Sequence, residues 1–168
     1  MEFKNNITAI LIALGTLLIL LYSSDPILFS DSSRYLRGSI KDPPFYSTII
    51  LIMNFIFKSL NSVVILQTFF VGFSIYYFTK TLKKIFKLET LATIIISLFL
   101  FLPFIEFYRN ILTEPFGYGF SLLFVSFASK LIYNFNNQNV FFYSIVVILL
   151  LLTRDQFLFV YPLVFFFY

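Results

Sequence analysis

Cysteine and histidine are both absent from this 168-residue chain. Their absence removes disulfides, thiolate chemistry, a histidine base and a histidine-ligated metal, so any bound metal would take oxygen ligands. Charge is also scarce, at 12% of residues, where soluble domains carry about 25%. Glycine, at 5 residues, and alanine are thin beside Phe, Ile, Asn and Lys, a skew that matches coding bias toward A and T. The 26 phenylalanines therefore carry no functional weight by themselves. What fills the chain instead is apolar: 60% of residues are hydrophobic and the mean hydropathy is +0.92. Such a composition excludes a soluble domain and indicates an integral membrane protein.

The length allows several spans of about 20 residues each but no separate soluble domain, so 1–168 reads as one membrane domain. Residues 7–22 form a first apolar run, longer than a signal-peptide core of about 7–15 residues and without an A-x-A-like site after it, hence an uncleaved anchor. Asp25-Pro26 closes it, because proline disfavours the helical region for the residue before it. The polar stretch 23–44 follows, crowding acids, arginines and prolines together. The run 45–57 is short: its residues would reach only about 20 Å against a hydrocarbon core of about 30 Å. Further apolar runs cover 63–78, 91–107 with a kink expected at Pro103, 116–133, 140–152, and 157 onward. The expected fold is an all-α polytopic transmembrane helix bundle of about five to seven spans. In it 1–22 is the first span, 23–62 an extracytoplasmic loop with interfacial helices, and 63–168 the remaining spans.

Orientation follows from Lys80, Lys83, Lys84 and Lys87, since short cytoplasmic loops collect basic residues. If 45–57 lies along the interface, the N-terminus with Lys4 and this cluster share the cytoplasmic side; if it spanned, the cluster would face outward. The interfacial reading is preferred. The inner side then holds six lysines against Glu2 and Glu89, a net +4, and the outer side six basic against six acidic residues. All four arginines and all four aspartates fall outside. Lysine guided the assignment; arginine and aspartate did not.

Each outer motif has an ordinary structural reading. Asp31 can cap a helix carrying Arg34 and Tyr35 on one face. Thr113-Glu114-Pro115 reads as a helix start, with a capping hydroxyl, an acid favoured by the macrodipole and a proline tolerated in the first turn. Arg154-Asp155 is flanked by runs each too short to span alone, which places charge at membrane depth, where it usually faces a cavity or a partner. An outer cavity lined by arginine and carboxylates suits an anionic lipid head, with arginine forks on phosphate.

In this order, Asp31-Ser32-Ser33-Arg34-Tyr35, Pro43-Pro44-Phe45-Tyr46, Leu112-Thr113-Glu114-Pro115 and Leu152-Thr153-Arg154 resemble the opening of the GT-C membrane glycosyltransferases. They are similar to the protein O-mannosyltransferases and the lipid A aminoarabinose transferases. The resemblance implies a first extracytoplasmic loop with two juxtamembrane helices. It implies sugar transfer from a polyprenyl-phosphate donor to a lipid, glycan or protein acceptor on the outer face of the cell (inner) membrane. Asp31 would orient or deprotonate the acceptor, and Glu114, or in second place Glu106, would be the second-loop acid. Arg154, with Arg34 and Arg109, would hold the lipid phosphate. A divalent metal, magnesium or manganese, on Asp31 and Glu114 is the one cofactor allowed, and nucleic acid is not a partner. Such enzymes run several times longer, so the chain is expected to be the N-terminal part of a longer transferase. The alternative is a transporter or flippase-like protein without catalytic activity, with Glu106, Arg154 and Asp155 along a transport path. Transporters tend to show inverted repeats, and this sequence has no internal repeat.

Overall fold

The computed structural model describes residues 2–21, 25–38 and 42–153. Among them the chain forms seven helices and no strand: α1 Glu2–Leu21, α2 Ser32–Leu36, α3 Pro44–Phe57, α4 Asn61–Phe86, α5 Thr90–Phe107, α6 Glu114–Tyr133 and α7 Asn137–Thr153. The apolar runs through residue 152 each became a helix; the run from 157 onward lies outside the described residues. The largest departure is at α4, which continues through Lys80, Lys83 and Lys84 to Phe86. Nothing interrupts it there, and lysine is a good helix former. The basic cluster is thus the last turns of a helix rather than a loop. Both α3 and α4 end on a lysine in the left-handed region, Lys58 at φ 52° and Lys87 at φ 51°. The amide of each returns to a carbonyl four residues back, of Asn54 and Lys83.

α4 is the centre of the bundle. It touches α1 and α5 on one side and α3 and α6 on the other, while α7 covers α6. α4 and α6 run parallel: Phe70 meets Phe116 and Phe120, and further along Tyr77 meets Phe127 at 5.0 Å. The two helices approach closely at Gly119, where an added Cβ would lie 2.5 Å from a Phe70 ring carbon. A second close approach is at Gly72, where a Cβ would stand 2.5 Å from the Thr16 hydroxyl of α1. Small residues at crossings allow tight packing where apolar burial alone gives little specificity. Stacked and edge-on rings then lock the seam, each such pair adding about 0.5–1.5 kcal/mol beyond its buried area.

Many buried hydroxyls are satisfied within their own helices. Thr16, Thr68, Thr79, Thr93, Ser97, Ser126 and Thr153 each donate to the carbonyl four residues back. Pro103 sits inside α5, where it gives the Phe99 carbonyl no backbone donor, and the Tyr118 hydroxyl of α6 donates to the neighbouring Leu100 carbonyl at 2.7 Å. Outward faces are apolar too, with Leu18, Phe73, Leu91, Phe99, Phe141 and Ile148 all exposed. Of the described helices, α4 and α6 are long and apolar enough to cross a membrane, while α3, α5 and α7 are shorter apolar helices.

This arrangement gives the bundle two distinct polar ends. α4, α6 and the chain crossings alternate so that Lys80, Lys83, Lys84, Lys87 and Lys130 gather at one end, the lysine end. The segments 25–38 and 108–113 gather at the other, the loop end.

Candidate functional site

The loop end is built by backbone first. The Ile27 amide donates to the Arg109 carbonyl at 3.0 Å and the Ile111 amide to the Ile27 carbonyl at 3.1 Å, an isolated parallel bridge between the two loops. Ser32, fully buried, reinforces it: its hydroxyl accepts from the Phe29 amide at 2.9 Å and donates to the Ile111 carbonyl at 2.7 Å. From below, Gln67 of α4 donates its side-chain amide to the carbonyls of Tyr108 and Asn110. The segments that carry Asp31 and Glu114 are therefore joined into one surface.

On that surface Arg34 is the hub of the charges. Its Nη2 lies 3.6 Å from Asp31 Oδ1 and 3.4 Å from Asp42 Oδ1. Asp31 first and Asp42 second hold the guanidinium above its ordinary pKa, so it stays a cation at any working pH. Asp31 is exposed, whereas the Asp42 side chain keeps only 10% of its surface. Asp31 occupies the N-cap position of α2 but makes no side-chain cap hydrogen bond, because its backbone is already helical there. The capping reading of Asp31 is corrected by that geometry, and the same holds at α6, where Thr113 caps by position without a hydroxyl bond.

Beside this triad lies a tyrosine pair. Tyr35 of α2 packs edge-on against Tyr46 of α3 with ring centroids 5.3 Å apart, and Tyr46 reaches Phe116 at 5.8 Å. Tyr46 is fully buried. Burial, and after it the Glu114 carboxylate, raises the Tyr46 hydroxyl above the ordinary phenol range, so it remains a neutral donor. Arg34, in turn, is hydrogen-bonded to Tyr35. Asp31 and Arg34 thus adjoin the Tyr35–Tyr46 ring pair, and Tyr46 lies within the field of Glu114 at the start of α6. Around these residues Asp42 Oδ2, Ser47 Oγ and Thr113 Oγ1 are enclosed without a hydrogen-bond partner among the described residues. Buried polar atoms are nearly always satisfied, so these three are groups that a bound water or ligand would satisfy.

The expected residues fall into three groups. Asp31 and Arg34 lie in the ion-paired cluster, and Glu114 lies on the far side of Tyr46. Arg109 lends its carbonyl to the loop bridge, and its guanidinium lies 5.9 Å from the Tyr108 ring centroid, with no carboxylate partner among the described residues. Arg154, Asp155 and the Glu106 side chain lie outside the described residues. Arg34 is committed to two carboxylates, whereas Arg109 has none among the described residues. As a metal pair, Asp31 and Glu114 meet different partners, an arginine and a tyrosine, and among the described residues no three acidic side chains converge on one point. Asp42 and Gln67 were not singled out from the sequence, and Ser32 and Tyr46 stood there only as members of the quoted motifs. Asp42 alone had a signal, an acid directly before Pro43-Pro44 and an apolar run; the tyrosine is one of 11.

An apolar cleft of 250 Å³ runs between α1 and α5, lined by Ile12, Leu18, Leu98, Phe101 and Ile105 among others. It opens along the bundle flank and reaches Ile105, one turn before Arg109. Comparison of the chain with protein-family models, with curated proteins and with solved structures returns no match.

Proposed function

We propose that the chain is the N-terminal, multi-pass part of a membrane glycosyltransferase of the GT-C type. In this reading it lies in the cell (inner) membrane with its N-terminus and lysine end cytoplasmic. About five to seven helices span, α3 rests at the interface and the loop end faces outward. The observation that carries the reading is the joining of the Asp31 and Glu114 loops around Arg34, Tyr35 and Tyr46. An exposed carboxylate held in place by a fixed cation is suited to a general base on an acceptor hydroxyl. The acceptor oxygen attacks the anomeric carbon, its proton passes to Asp31, and the bond from that carbon to the phosphate oxygen breaks. The departing polyprenyl phosphate keeps the electron pair. Arg109 and Arg154 are its cationic ligands, as planar forks suited to phosphate, and the α1–α5 cleft accepts the start of its apolar chain. Glu114 acts through Tyr46, keeping the neutral hydroxyl oriented beneath the acceptor. Magnesium or manganese remains an allowed addition, and no step is routed through it.

The exposed apolar flanks of α1, α5 and α7 support the membrane setting, since soluble monomers rarely expose apolar patches beyond a few hundred Å². Against a transporter, Thr68, Thr79 and Ser126 donate within their own helices and offer a solute no polar lane along the α4–α6 seam. The test is a transfer assay on the full-length protein in vesicles containing a polyprenyl-phosphate sugar. Asp31→Asn should leave membrane insertion and melting temperature unchanged, because the side chain is exposed and caps nothing. Transfer should fall by a factor on the order of 100 or more. Transfer within a few-fold of the parent would remove Asp31 from catalysis.

A further inference from the structure

At the lysine end, a cleft of 340 Å³ opens between the last turns of α4 and the turn joining α6 to α7, lined in part by Lys84, Lys130, Tyr133, Asn134, Asn136 and Asn139. Its size falls near the lower end of small-ligand pockets, about 300–1,000 Å³. No acidic residue lines it, and neither Lys84 nor Lys130 has a carboxylate partner among the described residues. Lys130 is held against an aromatic wall. Its ammonium donates to the Tyr77 hydroxyl at 2.5 Å, lies 4.1 Å from the Tyr77 ring centroid and 5.4 Å from that of Phe127. A cation fixed in this way is pre-positioned, and its remaining N–H groups are free to turn to a ligand. Lys80, one turn before Lys84, is near enough to repel it.

The asparagine turn completes the polarity. Asn136 Oδ1 accepts from the Asn139 amide at 2.8 Å, and Asn139 Nδ2 donates to the Asn134 carbonyl at 2.9 Å. Those acceptors are used inside the turn, while the Asn136 amide nitrogen stays available as a donor. Two ammonium groups, an amide donor and the start of the 17-residue helix α7 thus lie around one cleft, a setting that favours an anion.

We propose that this cleft binds a phosphate-bearing anion, as the headgroup of an anionic phospholipid or as free phosphate. Lys84 and Lys130 are its charge partners and Asn136 an orienting donor. Basic pockets between membrane helices are suited to such headgroups. This inference does not rest on the proposed transferase activity, and its test reads no transfer.

The full chain, purified in a neutral detergent, is melted by helical circular dichroism while phosphatidylglycerol, phosphatidylcholine or inorganic phosphate is added. Phosphatidylglycerol should raise the melting temperature by roughly 5 °C near saturation, and phosphatidylcholine should not. A matching rise with inorganic phosphate identifies free phosphate as the source; none identifies the headgroup. Lys84→Gln, a change at an exposed side chain, should remove at least half of the response, and the double variant Lys84→Gln/Lys130→Gln nearly all of it. Lys58→Gln, an equal change in charge at the other end of α3–α4, should leave it intact. Absence of a rise with both anions overturns the proposal. So does a Lys84→Gln response equal to the parent's, or an equal loss in Lys58→Gln, which would reduce the effect to net charge.

Discussion

The two ends of this bundle show two ways of holding charge in an apolar protein. At the loop end positive and negative groups are interleaved, and Arg34 sits between Asp31 and Asp42 with its position fixed by both. At the lysine end the cleft carries one sign only among the described residues, and its order comes from aromatic rings and a self-bonded asparagine turn. A paired cluster orients each member but satisfies it, so a ligand gains mainly from geometry. An unpaired cluster leaves its charge unanswered, so a ligand of opposite charge gains directly. The first arrangement suits chemistry on a bound molecule and the second suits retention of an anion.

The largest effect expected is on sidedness. Single cysteines at Ser33 and Lys58 should react with an impermeant thiol reagent added to intact cells, and one at Lys87 should not; all three positions are exposed, so accessibility alone does not decide the outcome. Reaction at Lys87 would put both ends on one side or invert them, and would break the contrast in its membrane setting.

Next in size is a change that touches both ends through the seam they share. Gly119→Ala places a methyl 2.5 Å from the Phe70 ring, which is itself confined by Phe116 and Phe120. Overpacking of this kind costs about 1–3 kcal/mol. The melting temperature should fall by several degrees, together with anion binding and transfer. A loss of one function without the other would show that the ends do not depend on a common α4–α6 seam.

The smallest effect on stability belongs to Tyr46→Phe. The ring contacts with Tyr35 and Phe116 remain, so folding should change by less than about 1 kcal/mol. Loss of the hydroxyl beside Glu114 should reduce transfer about tenfold, roughly 1.4 kcal/mol of barrier, and leave the lysine-end response untouched. Unchanged transfer would confine Tyr46 to packing.

Helices were legible because each apolar run is bounded by proline, asparagine or charge. The end of α4 was not, since lysines read equally well as a cytoplasmic loop or as the solvated last turns of a helix; the missing breaker before Lys87 was the deciding physical cue. At the loop end, Asp31, Arg34 and Glu114 stood out as scarce charges in an apolar chain. Their joining did not, because the Ile27–Asn110 bridge is made of backbone groups that leave no side-chain pattern. Tyr46 was hidden by the abundance of aromatics, and Arg34's second partner, Asp42, by the intervening residues. The lysine cleft was half visible: the lysines marked a side of the membrane, while the asparagine turn that makes them face a cleft carried no periodic signal.

The self-satisfied hydroxyls have a consequence for the order of assembly. A helix that closes its own threonine and serine hydroxyls on its own carbonyls can enter lipid before its neighbours have been synthesised, with no polar side chain waiting for a partner. α4 complies except at one point. Gln67 donates to carbonyls of Tyr108 and Asn110, which emerge from the ribosome some forty residues later. Until then its amide must stay near the membrane surface or bind water there, so the final seating of α4 waits for the loop after α5. Gln67 is in this sense a latch, closed by the same segment that bridges to the loop carrying Asp31.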